Sequence, residues 1–252
     1  MQTVERQKQI LAYLNEKKTA SVTQLSSLFY ASAATIRRDL DALQRQGLIQ
    51  RTHGGAMLFE GGELSVAMRQ SQNTAAKAVI GELASYYVKE SYTLFLDSSS
   101  TVCALVPHLS IYKQVAVVTN GLHCALLLSQ STDCAVYLPP GRLTARSNAL
   151  SGIDTLDYIT GLTADVAMIS CSGLTAALEV TEPSLEQSRI KMAMTARAKT
   201  KLLLCDSTKF GRSYFSRSST AADFDAIITD QKPPDDYLEA AHRMGCEMVY
   251  PE

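Results

Sequence analysis

Two adjacent guanidinium groups, Arg37 and Arg38, follow Ser32-Ala33-Ala34-Thr35 in a stretch whose apolar residues Ile36, Leu40 and Leu43 recur at helical spacing. Short polar and cationic side chains early on a helix can reach base edges in a major groove, while neighbouring cations and hydroxyls hold phosphates. Ser32, Ala34, Thr35, Arg37 and Arg38 are therefore candidate DNA contacts, and Ile36 and Leu40 face inward. Arg51, Thr52 and His53 follow on an extended segment, where cations bind the DNA backbone or enter a minor groove. A solvated charged face on a protein-docking module would show the same periodicity.

A second chemistry is written further along. Asp97-Ser98-Ser99-Ser100-Thr101 ends an apolar run and opens a helical one near Val102. Hydroxyls and unpaired amides at a helix start stabilise a phosphate; the same hydroxyls can equally cap the helix. Other apolar runs end in Thr119-Asn120, Gly141-Arg142, Ser172-Gly173 and Asp206 with Lys209. Arg142 and Lys209 can offset phosphate charge, and Asp97, Asn120 and Asp206 can hydrogen-bond sugar hydroxyls. Asn120-Gly121 also reads as a turn, and Asp206 as an orienting partner of Lys209.

The elements that must position these groups fall into two patterns. Residues 4–16 place Ile10, Leu11 and Leu14 on one stripe; Ser21 with Gln24 reads as a capping box before VTQLSSLF; Ser32 opens the Arg-bearing helix and Gly47 ends it. LIQRTHGGAML then reads as a hairpin around Gly54-Gly55. Together these predict a winged helix-turn-helix over residues 1–58. Residues 59–75 are polar and weakly periodic, and read as a linker. From 76 to 252, apolar runs at 93–97, 115–119, 134–138, 166–170, 201–206, 226–229 and 247–250 alternate with helical patterns at 77–89, 122–129, 185–198 and 235–244. Continuous apolar strands separated by helices predict a mostly parallel, Rossmann-like α/β sheet covered on both faces.

Charge sharpens the division. The 252 residues carry 24 Lys and Arg against 25 Asp and Glu, which excludes a wholly basic coat protein and an acidic tail. Residues 1–58 hold eight of those cations against four acids, and the remainder sixteen against twenty-one. A basic head on an acidic body suggests two tasks on one chain. At 46% hydrophobic and 19% charged the chain is too apolar to be disordered. The six cysteines form no C-x-x-C pair and sit mostly in apolar runs, so reduced, buried thiols in a cytoplasmic protein are expected. No apolar signal core or membrane span is read. His53, His108, His123 and His242 are scattered without ligand spacing, so neither a metal nor a cofactor is expected. Tyr13, Tyr86, Tyr87 and Tyr92 read as packing residues rather than a stacking platform.

The string S-x-x-T-I-R-R-D-L-x-x-L-x-x-x-G-x-I-x-R-T-H-G-G, Ser32 to Gly55, resembles the DNA-binding head of the DeoR family of bacterial sugar-metabolism repressors. Over 76–252, LDSSST, VVTN, PGRL, ALSG, KMAM, DSTKFGR and ITD resemble that family's sensor domain. The resemblance implies a fold related to ribose-5-phosphate isomerase and glucosamine-6-phosphate deaminase. It also implies a phosphate loop at Ser99, Ser100 and Thr101 and sugar-facing groups at Asp97, Asn120, Arg142, Lys191 and Lys209. Gly141, Gly152 and Gly173 would then give close backbone approach. With Thr119 and Asp206, these are the candidate effector residues. The chain departs from the family pattern at Ser99, where Gly is usual, at Pro140, where the first of two glycines is usual, and at Gln187 and Arg189, where acids usually precede the helix lysine. Glu186, five before that lysine, should point elsewhere, and 171–183 lacks the usual Gly-rich pattern.

The expected function is operator binding by a homo-dimeric or tetrameric regulator whose double-stranded DNA affinity responds to a phosphorylated sugar or polyol. The alternatives are an isomerase or deaminase carrying an accessory head, and an activator. Isomerisation needs a carboxylate base against a carbon acid, and SCSGLTAA, where the isomerase relatives carry an acidic cluster, has no Asp or Glu. A binder rather than an enzyme is therefore expected.

Overall fold

A computed structural model describes residues 3–45, 48–58, 66–145 and 147–251. The chain divides into two compact units, Met1–Arg69 and Gln70–Glu252.

The first unit contains α1 (Thr3–Lys17), β1 (Thr19–Ser21), α2 (Val22–Phe29), α3 (Ala33–Arg45), β2 (Ile49–Thr52) and β3 (Gly55–Leu58). The expected capping box starts α2: the Ser21 hydroxyl accepts the Gln24 amide, and the Gln24 side chain accepts the Ser21 amide. Ile10, Leu14, Leu25, Ile36, Leu40 and Leu43 are fully buried between the three helices. Burying side chains of that size stabilises by about 1.5–3 kcal/mol each. The hairpin β2–β3 forms as read, and β1 adds a third antiparallel strand in the order β1-β3-β2. Gly55 permits that addition, because a Cβ there would lie 2.0 Å from the Ala20 carbonyl oxygen. Gly47, the expected helix stop, lies outside the described residues, as do 59–65 of the expected linker. The rest of that stretch is largely helical: α4 (Val66–Ser71) spans the division between the units, and α5 begins at Thr74.

The second unit runs α5 (Thr74–Ser85), β4 (Thr93–Leu96), a 3-10 helix (Val102–Ile111), β5 (Ala116–Thr119), α6 (Leu122–Ser131), β6 (Ala135–Tyr137), β7 (Arg142–Thr144), β8 (Ala149–Ser151) and α7 (Ile153–Thr160). It continues with β9 (Ala164–Ser170), β10 (Gly173–Leu174), β11 (Glu179–Glu182), α8 (Leu185–Ala196), β12 (Ala198–Leu204), a 3-10 turn (Ser207–Lys209), β13 (Ser216–Thr220), β14 (Ala226–Ile228), α9 (Asp235–Arg243) and β15 (Glu247–Val249). All seven expected strands join one sheet, ordered β15-β14-β12-β9-β4-β5-β6, and every neighbouring pair is parallel. Residues alternate between its faces. Phe95, Ala167, Ile169, Leu203 and Ile227 pack on one side, and Leu94, Leu96, Met168, Leu202, Leu204 and Ile228 on the other. Both faces are apolar, which is why the strands read as unbroken runs. Two small antiparallel sheets, β10-β11-β13 and β7-β8, and the helix α7 were not read from the sequence.

Strand order marks where a ligand crevice is expected. From β4 the chain moves outward through β5 and β6; from β9 it moves the other way through β12, β14 and β15. The direction reverses between β4 and β9, and open α/β sheets bind ligands beyond the carboxyl ends of strands at such a point.

Candidate DNA-binding face and candidate effector site

In the head, Ser32, Ala34, Arg37, Arg38, Thr52 and His53 are exposed, and Thr35 and Arg51 are half-buried. The Ser32 hydroxyl accepts the Thr35 amide at 3.2 Å and lies 2.9 Å from the Thr35 hydroxyl, so both shape the start of α3. Two acids follow the arginines, and neither opposes DNA as an isolated charge. Asp39 is buried and held by Arg6 of α1, whose Nε donates at 2.6 Å and Nη2 at 3.3 Å; Gln7 adds a third bond at 3.3 Å. This two-point guanidinium clamp fixes the rotation of α3 about its axis. Asp41 pairs with Arg51 at 2.7 Å, and Arg51 also donates to the Arg37 carbonyl at 3.3 Å. Arg51 thus braces the wing against α3, with its charge already answered in part.

In the second unit the candidate groups gather at the strand ends. Asp97 follows β4 and is fully buried; its carboxylate accepts the Ser99 amide at 2.8 Å and the Ser170 amide at 2.9 Å. Lys191, buried on α8, lies 3.3 Å from Asp97, pairs closely with Glu182 of β11, and donates to the Ser170 carbonyl. Burial pushes the Lys191 ammonium toward neutrality, but Glu182 and Asp97 outweigh it and hold its pKa above the ordinary value. Lys209 bonds Ser170 Oγ at 3.0 Å and Thr101 Oγ1 at 3.3 Å, and lies 3.3 Å from Asp206. Asp206 also accepts from Thr208 and Asn73. Burial raises the Asp206 pKa, but Lys209, the Thr208 bond and Lys77 bring it below the ordinary value. Both expected roles of Asp206 are compatible with this geometry, because it orients Lys209 and lies at a strand end.

Asn120 joins through α8. Its Nδ2 donates to the Leu150 carbonyl at 3.1 Å and to Gln187 Oε1 at 3.4 Å, an oxygen that also accepts from Ser98. Among the described residues, Asn120 Oδ1 is buried with no hydrogen-bond partner. Thr119 is spent locally, accepting the Gly121 amide. Ser99 caps the following 3-10 helix through Val102, so the capping reading holds for that residue.

Arg142 sits apart and exposed. It donates to both oxygens of Glu186 at 2.8 and 3.0 Å, and Ser151 donates to the same carboxylate. Glu186 does point away from Lys191, but toward another candidate residue. Gly152 has φ 116° with nothing near its missing side chain. Gly141 and Gly173 are explained within the chain: a Cβ would lie 2.0 Å from Thr155 Oγ1 and 2.5 Å from the Arg212 carbonyl oxygen respectively. Glu182, Gln187 and Ser170 were missed. In the structure Ser184 caps α8 by accepting the Gln187 amide, a local signal that would place Gln187 in the first turn but not its inward bonds. Among the described residues no group of three His, Cys, Asp or Glu is placed to hold a metal, and no helix is long and apolar enough to cross a membrane. None of the six cysteines is joined in a disulfide; the sulfurs of Cys171 and Cys205, just past β9 and β12, lie 3.5 Å apart.

The DeoR-like helix-turn-helix domain matches residues 6–61, and the DeoR C terminal sensor domain matches 72–231. This chain belongs to the DeoR family. The HTH-type transcriptional regulator GolR of Listeria innocua is 33% identical over 230 residues, 90% of this chain and 91% of that one. The glycerol-3-phosphate regulon repressor of Escherichia coli K12 is 29% identical over 235 residues, 93% of each. Both relatives are named as regulators, and this DeoR-family chain is a transcriptional regulator, not an enzyme. Among solved structures, a D-ribose-5-phosphate isomerase in complex with phospho-erythronic acid is similar at TM-score 0.39 and 16% identity over 53% of this chain and 52% of that one. So remote a likeness bears on neither activity nor ligand.

Proposed function

We propose that this DeoR-family regulator represses a sugar-metabolism operon in the cytoplasm and releases it when a phosphorylated sugar or polyol occupies the crevice between β4 and β9. The observation that carries the effector reading is Asn120 Oδ1. A buried amide oxygen without a donor costs about 1–3 kcal/mol, and a ligand hydroxyl removes that cost. Ser100 and Thr101, at the start of the 3-10 helix, supply the phosphate end. Gln187 and Asn120 supply the hydroxyl-binding end. On the DNA side, α3 enters the major groove with Arg37 and Arg38 outward, and Asp39 is held inward by Arg6. A single head makes few contacts, so a dimer or tetramer presenting two heads to paired half-sites gains affinity by effective concentration.

A thermal-shift screen with phosphorylated sugars and polyol phosphates tests the reading, since a ligand of the native state raises the melting point by mass action. The expected hit also shifts the protein off its promoter fragment in a gel-shift assay, and Asn120→Leu loses both responses while still binding DNA. A hit that binds Asn120→Leu equally well refutes the site.

A further inference from the structure

Tyr30 occupies the turn between α2 and α3 and is 97% exposed, the most exposed large apolar side chain among the described residues. It adopts φ 49° and ψ 44°, the left-handed region. Its own amide and that of Ala31 both return to the Ser26 carbonyl, which reverses the chain into α3. The residue that ends a helix in this conformation is usually Gly or Asn, because a Cβ there crowds the backbone. Tyrosine accepts that strain, buries no ring surface and, among the described residues, makes no side-chain hydrogen bond. The fold gains nothing from the ring.

Its surroundings indicate what does gain. Ser32, Ala33, Ala34, Arg37 and Arg38 are exposed immediately after it. Ala33 and Ala34 leave the start of α3 without long side chains, so this end can approach a groove closely. A recognition helix enters N-terminus first while the preceding helix crosses the DNA backbone. The turn joining them therefore meets the groove wall, where a long side chain encounters sugar and phosphate.

We propose that Tyr30 is a DNA-backbone contact: its phenol donates to a phosphate oxygen beside the groove that α3 enters, and its ring lies against the adjoining deoxyribose. This rests on the operator-binding reading above. The contact has its own signature. A phenol carries no charge, so it adds affinity without releasing counterions, and the salt dependence of binding stays unchanged when it is removed. A phosphate contact also reads no sequence, so its loss weakens operator and arbitrary duplex alike.

The test uses the full chain and fluorescence anisotropy across a salt series, on a duplex from its own promoter and on one of arbitrary sequence. Tyr30→Phe is expected to weaken both about tenfold, the lower end for a hydrogen bond to a charged acceptor, with the salt slope unchanged. Tyr30→Asn should melt higher than wild type, because Asn tolerates the left-handed conformation, yet bind at least as weakly as Tyr30→Phe. A merely structural residue would move stability and affinity together. Wild-type affinity in both variants overturns the proposal, and a loss confined to Tyr30→Asn overturns the phenol hydrogen bond. Arg38→Ala separates the readings: its loss of affinity beside unaffected Tyr30 variants sinks Tyr30 alone. A wild-type chain that binds neither duplex sinks DNA binding and Tyr30 with it.

Discussion

Replacing Lys191 by Met removes the one ammonium that faces two buried carboxylates. The three side chains are 7%, 1% and 6% exposed for Lys191, Asp97 and Glu182. With the lysine present the cluster carries one net negative charge; without it, two carboxylates face each other with no cation between them. Breaking a buried pair by deleting one partner costs about 3–5 kcal/mol. For a unit of this size each kcal/mol moves the melting temperature by about 2–4 °C, so Lys191→Met should melt about 6–20 °C lower. Glu182→Gln should cost less, because it leaves Asp97 and Lys191 paired at 3.3 Å with no net charge. The sharper expectation concerns the double variant. Glu182→Gln added to Lys191→Met removes one of the two stranded carboxylates, so the double variant should be more stable than Lys191→Met alone. Urea unfolding of the full chain followed by tyrosine fluorescence measures this. The chain has no Trp, and nine of its eleven Tyr residues lie after residue 70, which weights the signal to the second unit. A Lys191→Met protein within about 0.5 kcal/mol of wild type, or a double variant no more stable than the single one, refutes the charge argument.

Arg37→Ala and Arg38→Ala should each weaken operator binding by about 1–3 kcal/mol with unchanged circular dichroism; operator affinity equal to wild type would take α3 out of the groove. Arg51→Ala should weaken binding in the same gel shift, because it removes a cation and its bonds to Asp41 and the Arg37 carbonyl; affinity equal to wild type would show that this brace is dispensable. Arg6→Met should lower both the melting point of the head and operator affinity, because it releases the buried Asp39 that sets the rotation of α3; unchanged values for both would show that the clamp is dispensable. Asp206→Asn should destabilise the chain at neutral pH. Its folded pKa lies below the ordinary 3.8, so the carboxylate's contribution is present above 3.8 and fades as pH falls through the lower folded value. The stability gap from wild type should therefore close below pH 3.8; a gap constant down to acid unfolding would contradict the pairing with Lys209.

The seven parallel strands were legible because each is buried on both faces and so reads as an unbroken apolar run. The elements that escaped have no such mark. β1 is three residues long; β11 is Glu-Val-Thr-Glu; β7 and β8 are three residues each and pair only with one another, β7 largely exposed. That Asp97, Thr101, Asp206 and Lys209 gather at the strand ends could be read because each closes or follows an apolar run. Glu182 could not. A reading along α8 for the acid that answers Lys191 inspects positions on the same helix, and finds Gln187 and Arg189. The carboxylate comes instead from a neighbouring strand, nine residues earlier, a contact that helical periodicity cannot express. Gly141 and Gly173 err in the other direction. Their missing side chains make room for the chain's own Thr155 and Arg212 backbone, a demand indistinguishable in sequence from close approach to a ligand.

The charge balance of the crevice also determines what an arriving anion must do. Asp97, Glu182 and Asp206 outnumber Lys191 and Lys209, and both lysines are already paired. Arg142 is likewise engaged by Glu186. A phosphate therefore cannot simply settle on an unclaimed cation among these three; it is received by amides and hydroxyls at the 3-10 helix start, or it takes a cation from a carboxylate. The second course carries a conformational signal. Lys209 bonds Thr101 on one side of the strand-order reversal and Ser170 on the other, and Asp206 beneath it holds Asn73 at the start of α5. Drawing Lys209 toward an anion loosens its hold on Asp206, and with it the anchor of the first helix after the division between the units. A ligand shifts an equilibrium only by its differential affinity for the two states, and this exchange of partners supplies such a difference. On that account Asn73→Ala, which cuts the link between Asp206 and α5, should leave effector affinity and operator affinity each within about twofold of wild type, yet reduce the effector's power to release DNA. Full release by Asn73→Ala would place the route of the signal elsewhere.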